Sequence, residues 1–282
     1  MDLSNKNVIH VKQENSEYLQ FRKLLEYQDI LTHAYSLGTD VNYRTAKVNK
    51  QNLEKEEYEK AIKDYERLCN CIGDNYINLV KTNQEHTDCV KIVRNKINID
   101  KPDVNLEEYY NTDGLITNKK DIILSTTNAD CILMLFFDPV KRVIANIHSG
   151  WKGTLKKISV KTVEKMIDKF GCKPKDIICC ICPSIHKCHF EVEKDVKEQF
   201  EREFKELGLL DEIIEEKIEN KKWNIDTILI NKVILKEIGL QEQNIIDSGI
   251  CSMCNSNLIH SYRVEKQGYG LNTALIELKN SL

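Results

Sequence analysis

Linker chemistry is missing from this chain. Its 282 residues include only four prolines and eleven glycines, and no stretch rich in Gly, Ser or Pro interrupts it, so no boundary between folding units can be placed. A length of this order buries a substantial core, and the reading is one domain over residues 1–282, with residues 1–30 as an N-terminal extension. Excess charge is missing too. Lys and Arg number 41 against 44 Asp and Glu, for a net charge of −3, and the basic residues are dispersed. That balance argues against a nucleic-acid or membrane surface and for small-molecule chemistry. No apolar run reaches the roughly 18 residues that span a bilayer, and no apolar segment near residue 1 precedes a small-residue cleavage site. The chain is therefore expected in the cytoplasm, with its eleven cysteines as reduced thiols. No internal repeat is present, and nothing in the sequence speaks to oligomeric state.

What the chain does have is a chemically dense centre, Asp121 to Phe170. Two apolar runs, Cys131 to Phe137 and Val143 to Ile147, flank a turn at Asp138, Pro139, Lys141 and Arg142, which predicts two buried strands joined by a tight loop. Cys131 opens the first and His148 closes the second, so antiparallel pairing brings thiol and imidazole to one end of a sheet. SGWKGT follows, and then Leu155, Ile158, Val163, Met166, Ile167 and Phe170 at helical spacing. Strand, glycine loop and helix start make an arrangement whose free backbone N–H groups suit an anion.

Around this centre the pattern is mixed. Residues 1–30 suggest one or two strands. ILTHAYSLG places His33 in an alternating run, readable as a half-buried strand histidine or as one near a pocket. Residues 52–73 predict a charged amphipathic helix ending at Gly73, with Tyr58, Ile62, Tyr65 and Leu68 or Cys69 inward. Strands are expected at Ile77 to Lys81 and Cys89 to Val93, leaving His86 at a strand end or hairpin tip, where loops commonly carry function. Asn95 to Tyr110 reads as a surface excursion. Beyond the centre come a strand from Ile177 to Cys182, a helix from Asp195 to Leu207 and a charged surface helix from Leu209 to Lys222. A helix capped by Asp226 is expected to turn Ile228, Leu229, Val233 and Leu235 inward and to end near Gly239. A turn at Gly268 to Gly270 precedes a closing strand.

Three constellations carry chemistry. His86, Cys131 and His148 offer two imidazoles and a thiolate, a three-ligand set suited to Zn²⁺ with a fourth position left open, which is the catalytic pattern. The same atoms read equally as a Cys131 nucleophile with His148 as its base, with Asp130 beside the cysteine. The second constellation is Cys179, Cys180, Cys182, Cys188, Cys251 and Cys254. Cys251-x-x-Cys254 invites a zinc-ribbon reading, but the second well-spaced pair is missing, and these cysteines are taken as small buried hydrophobes. The third is SGWKGT, where Lys152 and the amides around Gly153 favour phosphate or carboxylate; the full P-loop pattern is absent.

TTNADCILMLFFDP with IHSGWKGT resembles the signature of the YfiH-like laccase-domain family, an ADC strand followed by an H-x-GWRGT loop. NQEHTDCV is similar to its QVHG segment and CPSIHKCHFEV to its proline-containing cysteine loop. WNIDTILINKVILKEIG resembles its late helix and ICSMCNSNLIHSYR its C-terminal cysteine and SYR segment, so the resemblance runs from about His33 to the C-terminus. It implies an α/β (α+β) domain of mixed sheets packed together with helices outside, related to the catalytic domain of the cytotoxic necrotizing factor toxins. It also implies a zinc-dependent purine nucleoside enzyme, from a family once described as multicopper polyphenol oxidases. The reactions so implied are phosphorolysis of adenosine, inosine, guanosine and methylthioadenosine, and adenosine deamination, with nucleoside and phosphate as partners. The metal ligands carry over as His86, Cys131 and His148, with Zn²⁺ favoured over copper. Lys152 and Gly153 are candidates for the anion, Asp130 and Asn128 for polar contacts near the metal, and Gln84 and His33 for substrate.

The chain departs from the family at Lys152, which replaces the arginine of GWRG and loses bidentate geometry. Gly38 and Leu271 also stand where arginines are usual, and His186 replaces a loop glycine. Arg44, Arg263 and Lys47 are the cations available to compensate. Two further readings stay beside the phosphorylase: a cysteine hydrolase or deamidase, and a metal- or nucleoside-binding protein with little turnover. A copper polyphenol oxidase is discounted, because a single three-ligand site lacks the copper ligands that electron transfer to O₂ requires.

Overall fold

The computed structural model describes all residues except 14–15, 46–54, 96–108, 218–220 and 280–282. Lys47 and most of the expected 95–110 excursion lie outside the described residues. Two six-stranded mixed sheets dominate. The first runs Val8–Gln13, Ser16–Phe21, Leu31–Leu37, Asn272–Leu278, Ile123–Asn128, Leu79–Lys81, and the second Ile245–Asp247, Ile178–Ile181, Ile132–Asp138, Val143–Ser149, Gly114–Thr117, Val90–Ile92. A three-stranded sheet, Glu191–Val192, Lys222–Ile225 and Ile214–Lys217, stands beside them.

The central strands Ile132–Asp138 and Ile178–Ile181 of the second sheet are buried along their whole length, which is why they read as unbroken apolar runs rather than alternating ones. Leu133, Leu135 and Phe137 turn toward the first sheet and pack with Leu19, Tyr35, Leu124, Ala274 and Ile276. Their neighbours Ile132, Met134 and Phe136 face the other way, onto Ile158, Val163 and Met166 of the helix Ile158–Phe170 and onto Ile228 and Leu235. On the far side of the first sheet, Tyr65, Leu68 and Cys69 of the helix Lys55–Cys71 cover Tyr18, Ala34, Ile123 and Leu275. The order of layers is thus helix, sheet, sheet, helix, the mixed α/β arrangement expected. A buried amide stitches the two sheets: Asn146 Nδ2 donates to the carbonyls of Leu124 at 2.9 Å and Ala274 at 2.7 Å, and its Oδ1 accepts from Thr126.

The central hairpin forms as expected, with Leu133 opposite His148 and Ile132 opposite Ser149. Asp226 caps the helix Thr227–Glu237 by accepting from Leu229 N at 2.8 Å. Three expectations are corrected. Leu209 to Lys222 is not one helix: a short turn of helix, Leu210–Ile213, gives way to the strand Ile214–Lys217, which pairs with Lys222–Ile225. Helix-forming Glu and Lys are overridden because the hairpin buries Ile213 and Ile225 against Phe200 and Phe204. Within Thr227–Glu237, Leu229 and Val233 are only half-buried, while Ile230, Asn231 and Ile234 are buried. The helix lies between two apolar clusters, so a single inward stripe does not describe it. His86, finally, is not at a hairpin tip, because the strands on either side of it belong to different sheets.

Candidate metal centre and its cavity

His86 sits on the crossover that leaves the edge of the first sheet at Lys81 and enters the edge of the second at Val90. Cys131 and His148 come from the start and end of the central hairpin. Their ligand atoms converge within 4.8 Å of one another, with Cys131 Sγ 3.8 Å from His86 Nε2 and the two imidazole rings edge to face at 4.9 Å. His86 and Asp130 both take left-handed backbone, at φ 57° and 81°, conformations that non-glycine residues adopt only when their surroundings hold them there.

Asp113 is what holds the arrangement. Its carboxylate accepts from the backbone N–H of Glu85 at 3.3 Å, His86 at 3.1 Å and Thr87 at 2.8 Å, and from the Thr87 hydroxyl at 2.6 Å. The same group lies 2.8 Å from His148 Nδ1. This contact fixes the ring's tautomer and leaves Nε2 as the available donor, a recurrent support of metal-ligating histidines. Burial pushes the Asp113 carboxyl up, but His148 and Thr87 outweigh it and hold it below its ordinary value. Burial likewise raises the Cys131 thiol, yet His148 and His86 overcome this and bring it down to about 6. For His148 burial favours the neutral ring, and the Cys131 and Asp113 charges raise it to about 10 instead. A thiolate and two oriented imidazoles fit a soft or borderline divalent ion with an open position.

Gly150 lies against this cluster. A Cβ there would stand 2.7 Å from His86 Cδ2, 3.2 Å from Cys131 Sγ and 3.3 Å from His86 Nε2. Its φ is ordinary at −64°, so the requirement for glycine is one of space. Gly150→Ala is expected to push His86 off its position and weaken metal binding by at least about tenfold, measured by competition with a chromogenic chelator, with little change in the thermal midpoint.

The cluster opens onto a cavity of about 580 Å³. Gln84, Asn128, Asp130, Trp151, Ile185, Phe190, Tyr262, Tyr269 and Leu271 line it, together with the cations Arg44, Lys81 and Arg263. Several expected substrate contacts are engaged with the protein itself. Gln84 exchanges hydrogen bonds with Thr127, donating to its carbonyl at 2.7 Å and accepting from its N–H at 2.8 Å. Asn128 donates to the carbonyls of Cys131 at 2.6 Å and Pro183 at 3.0 Å, and accepts from Tyr35 at 3.1 Å. The Asp130 carboxylate accepts from Ser252 Oγ at 2.6 Å and Arg263 N at 2.8 Å. Lys152 is exposed, its ammonium 5.4 Å from the Trp151 ring centre, and neither it nor Gly153 lines the cavity. His33 is buried away from it and accepts from Phe21 N at 2.7 Å; burial holds its ring neutral, with the pKa down at about 3.

Asp113 and Lys81 escaped the sequence reading. Asp113 stands in an ordinary DGLIT strand start, and only its partners mark it. Lys81 ends a short strand with its ammonium 5.8 Å from the Tyr65 ring centre, where burial pushes it down to about 7. The cysteine set divides: Cys179, Cys180 and Cys182 are buried packers, whereas Cys188, Cys251 and Cys254 gather with His189, their ligand atoms also within 4.8 Å of one another.

Face-to-face mixed sheets carrying a His-Cys-His set at the mouth of a cavity define an α/β protein with a three-ligand, metal-capable pocket. The chain belongs to the multi-copper polyphenol oxidoreductase laccase family, whose family model matches residues 38–279. It is similar to the purine nucleoside phosphorylase YlmD of Bacillus subtilis, 31% identical over 170 residues that make up 60% of each chain. It thus spans less than two thirds of that relative's length. The adenosine deaminase RL5 of an unknown prokaryotic organism is 28% identical over 195 residues, 68% of this chain and 72% of that protein. Among solved structures, the Bacillus licheniformis hypothetical protein YfiH shares the fold with a TM-score of 0.81 at 22% identity, over 96% of this chain and 99% of that one.

Proposed function

We propose that this protein is a zinc-dependent purine nucleoside enzyme of the cytoplasm. In this reading it cleaves adenosine, inosine, guanosine and methylthioadenosine with phosphate, and deaminates adenosine. The observation that carries the reading is the convergence of His86, Cys131 and His148 at the mouth of a cavity whose walls include Arg44, Lys81, Arg263, Tyr262 and Tyr269. Relatives named for phosphorolysis and for deamination support it. Zn²⁺ is favoured over copper because two imidazoles and one thiolate suit it, and because among the described residues the cluster at this site comprises these three ligands and no more for multicopper chemistry. Once bound, the ion supplies Lewis acidity at the open position.

The chain's own groups do the rest. Tyr262 and Tyr269, edge to face at 5.1 Å, offer a purine a stacking wall. Arg44, over the Tyr269 ring at 4.4 Å, and Arg263 take the place of the family arginines absent at Leu271 and Gly38. With Lys81 they hold phosphate below the ribose. In phosphorolysis a phosphate oxygen bonds to C1′ while the glycosidic bond breaks, its electron pair leaves on the purine, and the purine takes the proton that the hydrogen phosphate gives up. In deamination water adds at C6 and ammonia departs. Asp113 keeps the proton on His148 Nδ1 throughout, and Asp130 positions Cys131 through its contacts with Ser252 and Arg263.

Metal-loaded protein incubated with adenosine and phosphate is expected to yield adenine and ribose 1-phosphate, with inosine from deamination; without phosphate the adenine should vanish and inosine remain. If no product of either kind forms, the reading falls to a nucleoside- or metal-binding protein. Lys81 adds a pH signature. Its ammonium is charged below about 7 and neutral above, so its hold on phosphate is lost as pH rises. Lys81→Arg stays charged, and the ratio of wild-type to variant phosphate KM should climb roughly tenfold from pH 6 to 8. A flat ratio would remove Lys81 from the phosphate site.

A second reading has its own observation. A Cys131 thiol near 6 beside a raised His148 is also the ion pair of a cysteine hydrolase or deamidase.

A further inference from the structure

Cys188, His189, Cys251 and Cys254 form a second donor cluster, and none of the four lines the cavity. Their ligand atoms all lie within 4.8 Å of one another, close enough for one coordination shell. Cys188 Sγ lies 3.7 Å from Cys251 Sγ, and His189 Nδ1 lies 3.6 Å from Cys251 Sγ, 3.5 Å from Cys254 Sγ and 3.1 Å from Cys188 Sγ. Tetrahedral Zn²⁺ with bonds of about 2.3 Å to sulfur and about 2.0 Å to nitrogen requires edges of about 3.8 Å between sulfurs and about 3.5 Å between sulfur and nitrogen. Three of the four separations match. A Cys188–Cys251 disulfide would instead bring those sulfurs to about 2.05 Å and leave His189 and Cys254 without a role.

We propose that these four residues hold a Zn²⁺ ion in a closed, structural site, separate from the open His86, Cys131 and His148 set. Three thiolates and an imidazole fill a tetrahedral shell, which is the structural pattern, whereas three ligands leave a position for chemistry. The ion ties the 183–190 loop to the 250–255 segment. Those stretches already touch: Ser252 N donates to Ser184 O at 2.9 Å, and Ser184 N to Ile250 O at 3.3 Å. Both then reach the neighbour of Cys131, Ile185 N donating to Asp130 O at 2.8 Å and Ser252 Oγ to Asp130 Oδ1 at 2.6 Å. The staple therefore sets the wall of the cavity formed by Ile185 and Phe190.

Metal content per chain and Co²⁺ absorption test this without reference to turnover. Full-length His86→Ala protein, which lacks the open site, is expected to retain one ion and, loaded with Co²⁺, to show sulfur-to-cobalt charge transfer and strong tetrahedral d–d bands. Cys254→Ser, an exposed and conservative change, should weaken that band set in the His86→Ala background by at least about a hundredfold in Co²⁺ affinity. Wild-type protein should bind two ions, of which His86→Ala removes the one at the open site and leaves the other in place. A His86→Ala chain that binds no Co²⁺ while its circular dichroism matches wild type overturns the proposal, and so does a Cys188–Cys251 disulfide found by peptide mapping of protein kept free of oxidant. Because the readout is in the His86→Ala chain, failure of the nucleoside reading leaves the result unaffected.

Discussion

Cys131→Ser is expected to lower nucleoside turnover by at least about a thousandfold, the scale of the several kcal/mol that a Lewis-acid metal contributes, and to remove the ion shared with His86 and His148. A serine hydroxyl is neutral at pH 7 and offers no thiolate, so two imidazoles remain where three donors converged within 4.8 Å. Turnover and metal content should fall together, and chelating the wild-type protein should copy the loss, with Zn²⁺ restoring it. The hydrolase reading predicts the opposite for the chelated wild type: full activity, and a covalent adduct on Cys131 that mass spectrometry detects. Retention of full turnover after chelation would end the metal-dependent reading.

Asp113→Asn is expected to weaken metal binding by about 10–100-fold and to lower turnover in parallel at limiting metal, with partial recovery when the ion is in excess. The aspartate accepts from Glu85 N, His86 N, Thr87 N, Thr87 Oγ1 and the His148 ring. An amide has one oxygen and an NH₂ group, so either the loop N–H groups or the imidazole must face a donor. Isothermal titration with Zn²⁺ and kcat at graded metal concentrations check this; unchanged affinity would show that the loop and the ring are held by other contacts.

Much of the centre was legible because its chemistry is local. The apolar runs around Asp138, with a thiol at one end and an imidazole at the other, specify a hairpin and its register, and the register brings Cys131 and His148 together. His86 could be named but not placed, since its strands join different sheets and pairing across sheets leaves no periodic trace. Asp113 was invisible for a related reason: its five donors lie on segments far from it in sequence. The 209–222 segment misled because exposed Glu and Lys favour helix locally, while Ile213 and Ile225 are decided by packing against Phe200 and Phe204. Cys188 and His189 were separated from Cys251 and Cys254 by more than sixty residues. The parallel bridge of Ser184 with Cys251, a long-range pairing, brings the two pairs together.

The crossover that carries His86 has a thermodynamic corollary. One sheet ends where it departs and the other begins where it lands, so an ion gripped by His86 and by the hairpin acts as a clasp across the seam between the two halves of the sandwich. Ligation and folding then share one free energy, and each tenfold rise of free ion above its dissociation constant deepens the native basin by about 1.4 kcal/mol. If the proposed ion binds there, the cavity end of the sandwich is by the same token expected to be the end that loosens first when the ion is scarce.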